Sequence, residues 1–224
     1  MTNGMRPRSR ILTGASGIFG VLLLGLSFAI NSGAPTGASE AQLLDFARHN
    51  YAQVLWGAWL QAVGPAWIVL FAFSLVHMAG AQHRLAGWMT FFGATTLMTV
   101  SLIEVTFYIS ALHQQPPAMG PISLGLISAV QHLYFMIAAP ALFLPLGIIL
   151  RGSDVLPKLF GQLAIALAIL FFAFGAIYTL TLTLPDPVTA LGSVQAVWWL
   201  AAAVALILRL PNRDDRRSSP SGKE

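Results

Sequence analysis

Cysteine is absent from the 224-residue chain, which excludes disulfides, thiolate metal centres, Cys-ligated iron–sulfur clusters and Cys nucleophiles. Charge is scarce too. Asp, Glu, Lys and Arg make up 9% of the residues and 56% are hydrophobic, whereas soluble domains carry roughly a quarter charged residues. Such a chain cannot cover a water-facing surface and reads as a membrane protein. The phosphate-cradling patterns GxGxxG and GxxxxGK[ST] are missing, so nucleotide-driven transport by this chain alone is not expected. H-E-x-x-H is missing as well, and no two histidines share a depth on facing helices as bis-His haem requires. No metal and no cofactor are therefore expected. The formal net charge of +4 does not point to nucleic acid, because the basic residues flank apolar runs and form no stripe with interleaved aromatics.

What is present is long apolar runs. A helix needs about 20 residues to cross the hydrocarbon core, and six stretches qualify, near 11–31, 53–78, 87–112, 122–150, 159–184 and 191–210. The expected fold is all-α, a polytopic six-transmembrane-helix bundle in one domain over 1–210, followed by a disordered basic tail over 211–224. Basic residues set the orientation. Arg6, Arg8, Arg10, Arg84, Arg151, Lys158, Arg209, Arg213, Arg216, Arg217 and Lys223 fall on one side of a six-span arrangement, and Arg48 alone falls on the other. Both termini are accordingly expected in the cytoplasm. A cleaved signal peptide is the competing reading of the first segment, although its apolar run exceeds the usual 7–15 residues of such a region. Whether 11–31 is retained is left open.

The connector over 32–52 begins with Gly, Pro and Ser and ends amphipathic, with Leu43, Leu44, Phe46 and Ala47 able to share a helical face. It reads as an interfacial connector or, alternatively, a lid over an outward pocket. Pro65, Pro140 and Pro145 interrupt the second and fourth spans; each removes a helical hydrogen bond that a neighbour must replace. GASG at 14–17 has the form of the GxSG of intramembrane serine proteases, but no histidine stands at the depth of Ser16 on a clearly facing span. Gly14, Gly17, Gly20 and Gly25 read instead as a close helix-packing surface. Trp56, Trp59, Trp198 and Trp199 read as an interfacial belt or as a stacking surface inside a pocket.

One carboxylate lies inside a span. Glu104, in SLIEVTFY at 101–108, would cost about 2.5–3.5 kcal/mol at a bilayer centre on insertion scales. Ser101, Glu104 and Tyr108 share a helical face that continues through Leu97, Ala94 and Gly93, so the polar patch occupies only one half of the span. Thr95, Thr99 and Thr106 lie roughly opposite, where a hydroxyl can bond a carbonyl one turn back. At 1.5 Å per residue, Glu104 falls roughly 6 Å outward of the midplane, Gln131 and His132 roughly 6–8 Å, and Gln61 roughly 7 Å. Tyr178, Thr179 and Gln195 fall a little farther out. A polar layer in the outer half is therefore expected, with Glu104 and His132 as its pair and Gln61, Gln131, Ser101, Tyr108 and Tyr178 as supporting hydrogen-bonders. A carboxylate and an imidazole can share one proton in such a medium.

The stretch 142–178, LFLPLGIILRGSDVLPKLFGQLAIALAILFFAFGAIY, resembles the second half of a bacterial family of six-span integral membrane proteins, a domain of unknown function. In that family a helix ends in a Leu/Pro/Gly run, a short basic loop with Leu-Pro-Lys/Arg follows, and a Gly opens the next helix. Pro145, Gly147, Arg151, Leu156, Pro157, Lys158 and Gly161 match these features. The glycine pair late in the fifth helix is reduced here to Gly175, and the N-terminal half matches less well. The resemblance implies a six-helix fold and a multi-pass protein of a bacterial cytoplasmic, or inner, membrane. It transfers no site residues.

Three function classes remain. The leading one is a binding or carrier protein for a small or lipidic ligand. In it Glu104 supplies charge and His132 a switchable proton, so binding should follow pH across the histidine range. The second is a membrane enzyme using the pair as acid and base on a lipid-like substrate; the third is a structural or partner subunit without a site. Beyond the bilayer no partner is implied, and small residues on spans one and six, among them Ala201, Ala202, Ala203 and Ala205, allow a homodimer. The orientation is directly testable, because any introduced thiol is unique in this chain. A membrane-impermeant maleimide on intact spheroplasts should label Ser39→Cys and spare Gly80→Cys and Gly152→Cys; the reverse pattern would invert the topology.

Overall fold

Alternation of long apolar runs with short polar turns leaves one economical solution, an antiparallel bundle whose short connections make sequence neighbours into spatial neighbours. The computed structural model describes residues 7–31, 39–113, 119–181 and 186–208. Its elements are α1 (Pro7–Ile30), α2 (Glu40–His49), α3 (Tyr51–Met78), α4 (Leu85–His113), α5 (Met119–Leu133), a π-turn (Tyr134–Ala138), α6 (Ala139–Arg151), α7 (Lys158–Thr181) and α8 (Asp186–Leu208). Six helical segments are long and apolar enough to cross a membrane, with α5, the π-turn and α6 running continuously as the fourth rod. Six long apolar helical rods, the number expected, are therefore present. The tail over 211–224 lies outside the described residues.

The rods form a ring. Each packs on the next in chain order, α8 returns to α1, and α3 touches α6 across the middle. Among the described basic residues, Arg8, Arg10, Arg84, Arg151 and Lys158 cluster at one end of the rods, hereafter the basic end, while Arg48 lies on α2 at the other. Large apolar side chains such as Leu12, Leu85, Phe172 and Val197 point outward and are more than 60% exposed.

Glycine sets the closest approaches. A Cβ at Gly17 would meet the Phe71 ring at 2.8 Å, and one at Gly20 would lie 3.0 Å from the Gly64 carbonyl oxygen. Gly14, Gly17 and Gly20 thus form the packing surface read from the sequence; Gly25 does not, for it is exposed with nothing nearby. Ser16 donates to the Thr13 carbonyl at 2.7 Å. Between α6 and α7, a Cβ on Gly147 would lie 2.7 Å from the Gly161 carbonyl oxygen, and one on Gly161 would lie 2.6 Å from the Arg151 nitrogen. Gly147 and Gly161 thus have a packing reason for being glycine.

Aromatic rings fill the ring's centre. Phe71, Phe143, Phe171 and Trp199 are at most 1% exposed, with Phe143 within 5.2–6.2 Å of Trp198, Trp199 and Phe171 and Phe71 5.8 Å from Trp199. Offset and edge-on pairs at such separations are favourable beyond their buried area. The belt reading of the tryptophans is therefore corrected in part. Trp56 and Trp59 are exposed and lie edge to face, whereas Trp198 and Trp199 are core residues, Trp198 donating to the Phe160 carbonyl at 3.1 Å.

Proline explains the irregular fourth rod. Pro140 has no N–H and its ring crowds the preceding turn; the backbone widens just before it, with the Ala139 N–H bonding to the Tyr134 carbonyl five residues back. A π-turn is one of the few ways a helix absorbs such a residue without breaking. Pro145 withholds a donor from the Ala141 carbonyl, and there Gly93 of α4 lets two backbones meet, a Cβ at Gly93 colliding with Ala141 and Leu142. Replacing Gly161 by Leu should lower the melting midpoint in detergent, overpacking of this kind costing about 1–3 kcal/mol. The same change at exposed Gly25 should leave it within a degree or two; equal effects at both sites would refute the close-packed hairpin.

Candidate functional site: a carboxylate held by three helices

Pro65 is where the site begins. A helical residue at that position would donate its N–H to the carbonyl of Gln61, and proline cannot. The Ser101 hydroxyl of α4 takes that role, donating to the Gln61 carbonyl at 2.8 Å. One turn further along α4, the Gln61 side chain returns the link, its Nε2 donating to Glu104 Oε2 at 2.8 Å. Gln61 is thus bonded to α4 at both its backbone and its side chain. From α5, Gln131 Nε2 donates to Glu104 Oε1 at 2.9 Å. The carboxylate, 9% exposed, therefore joins α3, α4 and α5, with one carboxamide on each oxygen.

The expected polar layer is present with different pairing. Glu104, Gln61, Gln131 and Ser101 come together as read from depth and face. Tyr108, half-buried one turn beyond Glu104, lies within its electrostatic reach. His132 is half-buried beside Gln131, but among the described residues it makes no hydrogen bond to Glu104. The reason is angular. Consecutive helix positions diverge by about 100°, so residue 131 or residue 132 can aim at α4, and the structure gives that place to Gln131. Helix α4 behaves as expected on its other face, where Thr95, Thr99 and Thr106 are exposed and bond their own helix carbonyls at 2.8–2.9 Å. The Tyr178 side chain lies outside the described residues. His49, His77 and His83 are exposed, and among the described residues no three His, Asp or Glu side chains gather as a metal site would require.

A second polar contact escaped sequence reasoning. The Tyr134 hydroxyl donates to Gln195 Oε1 of α8. Depth placed Gln195 near this level, but its partner sits in the π-turn, whose side-chain directions do not follow a regular helical wheel.

Electrostatically the site is incomplete. Two carboxamides saturate one acceptor position on each oxygen, yet they carry no charge. Among the described residues no Lys, Arg or His nitrogen comes within ion-pair distance of Glu104; the ion pair found there joins His49 and Asp45 at 3.1 Å, on exposed α2. Toward the basic end the bundle is closed by Phe71, Phe143, Phe171 and Trp199. On the other side α2 packs against α3, α4 and α5, the three helices that supply the cradle. Its start is fixed by a capping box, Ser39 N–H donating to Gln42 Oε1 at 2.9 Å and Gln42 N–H to Ser39 Oγ at 3.4 Å.

Ser101→Ala should destabilise the protein by about 1–3 kcal/mol, the usual cost of orphaning a buried acceptor. In a Pro65→Ala background most of that loss should vanish, because residue 65 then supplies its own N–H to Gln61. Equal losses in the two backgrounds, measured by denaturant unfolding in detergent, would show that the hydroxyl does not replace the missing donor.

Compared with family models, curated proteins and solved structures, the chain has no match.

Proposed function

We propose that this is a multi-pass protein of a bacterial inner membrane, both termini cytoplasmic, that binds or carries a small or lipidic ligand at the Glu104 cradle. The observation that carries the reading is a buried carboxylate that accepts hydrogen bonds from two carboxamides and, among the described residues, forms no ion pair. Intramembrane carboxylates are expensive and tend to mark ligand sites, proton relays or ion paths. Of these three, a through-path is disfavoured here by the aromatic closure that Phe71, Phe143, Phe171 and Trp199 form. Access is then from the side that α2 covers, or laterally between rods. The acid–base enzyme reading loses its geometric basis, because Glu104 and His132 are not hydrogen-bonded to each other.

A second reading is favoured by the same two carboxamides: a purely structural clamp tying α3, α4 and α5 together. Extraction in mild detergent followed by mass spectrometry of bound small molecules separates the two. The binding reading expects a molecule retained by the wild-type protein and reduced at least tenfold in Glu104→Gln, with the fold preserved because the amide is isosteric. Indistinguishable extracts from the two proteins, with only a lower melting midpoint in the variant, would leave the clamp alone.

A further inference from the structure

We infer that the edge of the basic end formed by α4, α6 and α7 seats the head group of an anionic phospholipid. This surface lies about 30 Å along α4 from Glu104, so it is separate from the cradle.

Helix register brings three cations to one level. A Cβ at Gly93 of α4 would lie 2.3 Å from the Leu142 nitrogen of α6. Arg84 stands nine residues before Gly93 and Arg151 nine after Leu142, and equal steps along antiparallel rods return both to a common level. A Cβ at Gly161 of α7 would lie 2.6 Å from the Arg151 nitrogen, and Lys158 is three residues, roughly 4.5 Å, nearer the end. All three side chains are exposed. Among the described residues none of them forms an ion pair or a side-chain hydrogen bond, even though Asp154 stands in the same turn as Arg151 and Lys158.

The backbones that carry these cations are fixed. Val155 and Leu156, 5% and 1% exposed, anchor the α6–α7 turn in the core, and the Gly152 N–H bonds the Ile148 carbonyl at 3.1 Å. The Arg84 N–H bonds the Ala81 carbonyl at 3.0 Å, and the Trp88 N–H bonds the Arg84 carbonyl at 3.1 Å. Charges held on fixed turns lose less freedom on meeting an anion than charges on loose ones. Helices α4 and α7 also begin here without an acidic residue in their first turns, so two positive helix ends flank Arg151.

What lies beside the cations selects a lipid over a soluble anion. Leu85 and Met89 of α4, Leu144 and Ile148 of α6, and Leu159 and Leu163 of α7 are 41–76% exposed. Each pair is one helical turn apart and runs away from the charged end along the side of its rod. Positive charge at a rod's end above an apolar stripe matches a phosphate above acyl chains, and basic pockets between helix ends bind such head groups. A polynucleotide or an acidic peptide would engage the cations alone.

The test adds phosphatidylglycerol, phosphatidylcholine with the same acyl chains, glycerol 3-phosphate or polyglutamate to the full-length protein in a nonionic detergent while thermal unfolding is followed. Phosphatidylglycerol should raise the melting midpoint by about 3–6 °C at saturating concentration, and the other three should not. Arg84→Gln with Arg151→Gln should remove at least half of the rise, whereas Arg84→Lys with Arg151→Lys should keep most of it. Arg8→Gln with Arg10→Gln removes the same charge from α1, which packs on α3 and α8, and should leave the rise intact. Equal rises with the two phospholipids would show acyl filling alone and overturn the inference. A rise of the same size with glycerol 3-phosphate or polyglutamate would show a site for soluble anions and overturn it too, as would an equal loss in the α1 variant, the mark of diffuse surface charge. Should the glutamine pair fail to fold, Arg84→Gln and Arg151→Gln are measured singly, and a full rise in both overturns the inference.

Discussion

A carboxylate that cannot reach water has to be met from within the chain, and meeting Glu104 organises half of the bundle. Two glutamines from different helices reach the same side chain, and one of them, Gln61, is itself positioned by the loss of a backbone bond at Pro65. The sequence of causes is short. Proline frees a carbonyl, a serine on the neighbouring helix takes it, and that contact aligns the face on which Ser101 and Glu104 sit three residues apart. Buried polar groups of this kind are strongly directional, so they determine which helices are neighbours more tightly than apolar packing does.

The other half of the bundle is built on the opposite principle. Around Phe71, Phe143, Phe171, Trp198 and Trp199 the contacts are mainly aromatic, with Trp198 bonded across to the Phe160 carbonyl, and the closest helix approaches are set by glycines. The pairs Gly20 with Gly64 and Gly147 with Gly161 place backbones so close that no side chain fits between them. Close backbone approach is what drives helix association where solvent offers no hydrophobic gain. The molecule is thus polar and bonded at one level, tightly packed at the other, and the boundary runs through the π-turn.

How much of this the sequence revealed depends on how locally each feature is encoded. Six long apolar runs carry the six helical rods directly. The depth of Glu104, Gln61 and Gln131 follows from counting residues at a fixed rise, which is why the polar layer was legible. Which of Gln131 and His132 faces α4 was not, since adjacent positions share a depth and differ only in rotation, and rotation is set by packing that no local pattern records. Trp198 and Trp199 failed for a related reason. Their depth suited an interfacial belt, and only the positions of Phe71 and Phe143, far away in sequence, show that they turn inward. Tyr134 bonded to Gln195 lay beyond reach because it sits where the helical period changes.

That change of period gives the fourth rod an unusual property. A π-turn adds one residue to a helical turn, so the segments before and after it are rotated by about 100° relative to an unbroken helix. The segment before it aims Gln131 at α4, and the segment after it aims Gly147 at α7. One continuous rod therefore obeys two angular settings, each dictated by a different neighbour, with Tyr134–Ala138 as the coupling between them. Shortening that coupling by a single residue would leave both neighbours satisfiable in isolation and no longer satisfiable together.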